Sequence, residues 1–148
     1  MKTILFLGVF AISSTAFSMS EDCSIATDIF DDAGSIMAEG MEMAVNDGET
    51  LKNTTVTHNE FSAWYKHVYP KKISKVAKKY NQYKTVSSDN PIYLGMTSIL
   101  EANNFVKSLD IYMQSKDDAG KELMMESKER LAKSYYKLVE DCGKRYDR

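Results

Sequence analysis

The chain is poor in the residues that punctuate or staple a fold. Its 148 residues include two prolines, two cysteines, two histidines, one tryptophan and seven glycines. So little proline and glycine excludes a collagen-like or low-complexity chain. Two cysteines make at most one bridge, which excludes a disulfide-dense scaffold. Neither sign of charge dominates: 19 basic residues face 21 acidic ones, a formal net charge of −2. With 43% hydrophobic residues, this is not the composition of a disordered chain. One domain of ordinary size follows.

Signatures of chemistry are missing as well. There is no G-x-S-x-G, no H-E-x-x-H and no phosphate-cradling glycine loop. C-x-x-C and C-x-x-C-H are absent, and so are the Glu-x-x-His pairs of di-iron bundles. His58 and His67 are nine positions apart with no third ligand at metal spacing; His58 is expected at the surface, and His67 at the surface or as a satisfied edge residue. Neither an enzyme nor a cofactor is expected. A non-covalent haem with His and Met ligands, or a carried metal, is the furthest alternative, because seven methionines lie beyond Met19.

One long apolar run exists, and it is at the start. Residues 1–18 read MKTILFLGVFAISSTAFS. Lys2 gives a positive start, an apolar stretch follows from Thr3 to Ile12, and Ala16-Phe17-Ser18 places small residues where a signal peptidase reads. This pattern predicts a secretory signal peptide cut after Ser18. The stretch is shorter than the roughly 20 residues a membrane span needs. Cys23 follows Ser20-Glu21-Asp22, which is no lipid-attachment context. Residues 19–148 are therefore expected to form a single exported domain, periplasmic rather than extracellular given the short signal and few cysteines. In an oxidising compartment Cys23 and Cys142 are expected to form one disulfide tying the first helix to the last.

The mature segment is patterned for helices throughout. Ala26, Ala33 and Gly40 are spaced by seven, as are Ile29, Ile36 and Met43, and Phe30, Met37 and Ala44. These heptads predict an amphipathic helix from Cys23 to Val45. Ala33 and Gly40 are small enough to admit a close neighbour, and Asn46-Asp47-Gly48 is the expected stop. A loop is expected through Asn53-Thr54-Thr55, an N-glycosylation sequon that matters only in a eukaryotic source. Thr57 and Glu60 form a capping box ahead of Phe61, Trp64, Tyr65 and Val68. Pro70 then interrupts. Tyr69, Ile73, Val76, Tyr80 and Tyr83 continue the stripe, so a kink or two helices over about 58–69 and 71–85 are expected. Asn90 followed by Pro91 predicts another start. Ile92, Gly95, Ile99, Ala102, Val106, Leu109 and Met113 then form the cleanest stripe in the chain. A break at residues 116–120 precedes a last helix from Lys121 to Cys142, with Met124, Leu131, Tyr135, Leu138 and Cys142 inward and Gly143 as its end. No strand alternation appears. The fold class is all-α: a bundle of four to five helices with the first and last joined by the disulfide.

The near-neutral total conceals a polar chain. Residues 19–56 carry nine acidic residues and one lysine, a net of −8. Residues 57–88 carry seven lysines and one glutamate, a net of +6. At 100° per residue, Lys71, Lys75 and Lys78 lie opposite their helix's apolar stripe, with Lys72 and Lys79 on a flank. In the first helix Asp28, Asp31, Glu39 and Glu42 lie opposite theirs. Most of these charges should therefore not neutralise one another, flank residues such as Asp32 and Lys72 excepted. The aromatics between the lysines fall on the core side, and arginine is absent from the segment. Both features argue against nucleic acid. The expected function is interaction with a protein partner, in an inhibitory, immunity or chaperone-like role. The alternative is that the lysine ridge binds an anionic membrane surface or a polyanionic glycan. Self-association of an acidic ridge with a basic one is a further possibility for partners.

Overall fold

The computed structural model describes residues 20–51, 59–115 and 118–144. The predicted signal peptide, the Asn53 sequon, the Thr57 cap and His58 lie outside these residues. Five α-helices and no strand are present among the described residues. They are α1 (Glu21–Leu51), α2 (Asn59–His67), α3 (Tyr69–Lys79), α4 (Pro91–Ser115) and α5 (Asp118–Lys144), with a short 3-10 turn at Asn81–Tyr83. No helix among them is long and apolar enough to cross a membrane.

Helix α1 continues through Asn46-Asp47-Gly48 to Leu51, past the expected stop. Asn, Asp and Gly are weak helix formers, yet none is sterically barred from a helix. Once a helix is nucleated, each further residue adds a hydrogen bond. The expected break at proline lies earlier in the chain. Helices α2 and α3 meet at Val68, and Pro70 sits in the first turn of α3, where its missing N–H has no partner to lose. The N–H groups of Lys71 and Lys72 both donate to the Val68 carbonyl, each at 3.1 Å. Asn90 caps α4 as expected. Its Oδ1 accepts from the Ile92 N–H at 2.8 Å, and its Nδ2 donates to Asp22 Oδ2 at 2.9 Å. One side chain thus starts α4 and ties it to the first turn of α1.

The connections alternate in direction. Gly95 meets Ala26 and Gly40 faces Val106, so α1 and α4 run parallel. Lys72 reaches Glu39 and Lys79 reaches Asp32, so α3 runs back along α1. Leu94 packs near Leu138 and Cys142, while Tyr112 meets Gly120, so α5 runs back along α4. The fold is an up-down-up-down bundle whose second leg is broken into α2 and α3.

Helix α4 lies between α1 and α5 and packs along both. Its predicted stripe, from Ile92 to Met113, is buried in full and faces α1. A second buried line, Leu94, Ser98, Phe105 and Ser108, faces α5. The Ser98 hydroxyl is satisfied within the helix, donating to the Gly95 carbonyl at 2.6 Å. The disulfide Cys23–Cys142 is formed and joins α1 to α5. Beyond that end α1 and α5 share few contacts. Phe30 and Tyr135 meet edge to face with centroids 5.8 Å apart, but Tyr135 is still half exposed rather than an inward core residue. Ser127 occupies the buried place in the middle of α5.

Candidate interaction surfaces

The lysine helix divides its charges between two jobs. Lys72 Nζ donates to Glu39 Oε2, and Lys79 Nζ donates to Asp32 Oδ2 at 2.8 Å. The hydroxyl of buried Tyr80 donates to the same Asp32 oxygen at 2.7 Å. Burial on its own would raise the Asp32 pKa. The hydrogen bonds from Lys79 and Tyr80, with the charges of Lys79 and Lys75, outweigh it and hold the carboxyl below its ordinary value. The hydrogen bond to Asp32 in turn raises Lys79 above the usual lysine range. These contacts clamp α3 against α1. Two members of the predicted basic ridge are therefore engaged inside the molecule. Glu39 also leaves the acidic ridge: it is half-buried in an ion pair, because a lysine's four-carbon stem reaches around a helix flank that helical counting places in solvent.

What remains of each ridge faces outward. Lys71, Lys75 and Lys78 are exposed, and none is in an ion pair among the described residues. Asp28, Asp31 and Glu42 are likewise exposed. His67 is exposed in the last turn of α2. The aromatics interleaved with the lysines turn inward. Trp64, Tyr69 and Tyr80 are buried, and Tyr65 and Tyr83 are half-buried. Tyr65 stacks on Tyr69 at 5.5 Å with planes 8° apart. Burial, with the nearby Tyr65, pushes the Tyr69 hydroxyl up to about 12, and that hydroxyl donates to Asn103 Oδ1 at 2.6 Å. These rings are a packing column rather than a stacking platform for bases.

A surface that sequence counting did not single out lies between α1 and α5. Where the two helices part beyond the disulfide end, Met37 and Met41 of α1 face Met124 and Met125 of α5 across Phe105 of α4. The groove measures about 200 Å³ and has one charged residue, Lys128, in its wall. Glu42 stands four residues from Ala38, so one member of the acidic ridge lies beside the groove on the α1 side. On α5, Lys128 stands in the groove wall, and Glu122, Glu126 and Glu129 lie beside Met125 and Lys128 on that helix's outer side. Met125 also begins an exposed apolar line with Ala132, Tyr136 and Val139 at helical spacing. The methionines were legible as residues. Only the parting of α1 from α5 makes them a surface. Among the described residues, no group of three or more His, Cys, Asp or Glu side chains is placed to hold a metal ion. No protein-family model, curated protein or solved structure matches the chain.

Proposed function

We propose that this is an exported helical protein that acts by binding a protein partner, with the methionine groove between α1 and α5 as the seat of a partner's apolar helix. The observation that carries this reading is the groove itself: four methionines from two helices around one aromatic floor. Methionine is flexible and polarisable, and it recurs on surfaces that accept helical ligands. Inhibitory, immunity and chaperone-like roles share this mode. An exported site of action, in the periplasm, accords with a single disulfide in a chain otherwise without cysteine.

The test is capture from the native exported fraction with three forms of the mature protein. The wild type should retain a partner that a Met41→Glu/Met125→Glu variant loses and a Lys71→Glu/Lys75→Glu/Lys78→Glu variant keeps. Retention by the methionine variant would remove the groove from consideration. A second reading rests on the three outward lysines: adhesion to an anionic membrane or glycan. Under it, binding to anionic vesicles or heparin falls steeply with salt and vanishes in the lysine variant. Absence of binding at low salt ends that reading.

A further inference from the structure

A second apolar cleft lies on the other side of α4, between that helix and the turn that follows α3. By helical count Met96, in this cleft, points 180° from Phe105, the floor of the methionine groove. The cleft measures about 380 Å³, within the range of small-molecule sites. Val86, Met96 and Ile99 line its interior, and Tyr93 and Leu100 form its lips. Leu100 is 63% exposed and Tyr93 40% exposed, and because both line one cleft they offer a single apolar surface that a ligand can cover. Lys84 is the one charged residue in the lining, and no carboxylate joins it.

We propose that this cleft binds the chain of a single-chain fatty acid, with Lys84 pairing with the carboxylate at the mouth. Three observations select that ligand. The lining is mostly apolar, with Asn81 and Thr97 its uncharged polar members besides the tyrosines, so the bulk of the ligand is hydrocarbon. The lone charge is positive and sits in the most basic stretch of the chain, so the head group is an anion. A cleft of about 380 Å³ lies at the small end of the range of small-molecule sites, which suits one alkyl chain rather than the two of a phospholipid. The proposal is independent of the methionine groove and does not rest on the protein-binding reading.

The probe is dodecanoate, added to the disulfide-bonded mature protein below its micelle concentration and followed by calorimetry. Dodecyltrimethylammonium and phosphatidylglycerol vesicles serve as comparators. The wild type should bind dodecanoate saturably at one site, at least tenfold more tightly than the cationic analogue. Lys84→Glu should weaken dodecanoate about tenfold, as expected for reversing a charge at the mouth. Met96→Trp should abolish binding by filling the cleft. Leu100→Glu, at an exposed position that leaves the core untouched, should weaken it at least tenfold and serves if the tryptophan variant does not fold. Met125→Glu should leave binding unchanged. Three results would overturn the proposal: no saturable binding, binding that survives Leu100→Glu and Lys84→Glu, or binding of vesicles alone.

Discussion

At Gly120 the lack of a side chain decides how closely α4 and α5 approach. A Cβ there would lie 2.8 Å from the Tyr112 backbone nitrogen, and backbone does not move aside as a flexible side chain can. Gly120→Ala should therefore destabilise by about 1–3 kcal/mol through overpacking. At Gly34 a Cβ meets nothing within 4 Å, so Gly34→Ala should stabilise by about 0.5–1 kcal/mol through helix propensity alone. Urea denaturation of both variants checks the opposite signs. Sequence pattern marked Gly120 as a breaker, because local composition does not show that another helix passes against it. Asp32 supplies a pH-dependent contact. Its folded pKa lies below the ordinary 3.8, so the stability it confers is present above that value and is lost as pH falls through the folded pKa. Asp32→Asn should thus be less stable than wild type at pH 7, with the gap narrowing below about pH 4. An equal gap in denaturation at pH 7 and pH 3 would contradict the clamp.

Among the elements, α4 shows how far periodicity reaches. Its α1-facing stripe is apolar at every position and was readable directly. Its α5-facing line mixes Leu94 and Phe105 with Ser98 and Ser108. It also includes Glu101, which holds Arg130 at 3.0 Å, and such a mixture does not register as a hydrophobic face. The break between α2 and α3 teaches a related point. Pro70 was legible as an interruption, but a proline in a first turn is harmless, whereas one in mid-helix costs about 3 kcal/mol. Pro70→Ala should therefore change stability by less than about 1 kcal/mol. A gain near 3 kcal/mol in thermal or urea unfolding would mean that α2 and α3 are one strained helix.

For the molecule as a whole, the disulfide acts where the bundle is least closed. Helices α1 and α5 meet mainly at its end, while each packs along α4. The bridge closes a sequence separation of 119 residues, for which chain entropy gives about 4–5 kcal/mol of stabilisation. Reduction should lower the melting temperature while leaving far-UV helicity largely intact, because both long interfaces of α4 are untouched. Amide exchange should accelerate first at residues 21–30 and 135–142, and last within α4. Loss of all helicity on reduction would show that the bridge, rather than α4, organises the bundle.

The sequence by itself determined the helical class, the cap at Asn90, the apolar stripes of α1 and α4, the inward turn of the aromatics that interleave with the lysines, and the pairing of its two cysteines. Each of these follows from local periodicity, capping chemistry or a count of two. The tertiary structure decided that α4 is covered on two sides, that Lys72 and Lys79 are spent on Glu39 and Asp32, and that methionines from α1 and α5 share one groove. Those outcomes depend on which helix flank meets which. Flank contacts between segments far apart in sequence leave no periodic trace in either segment.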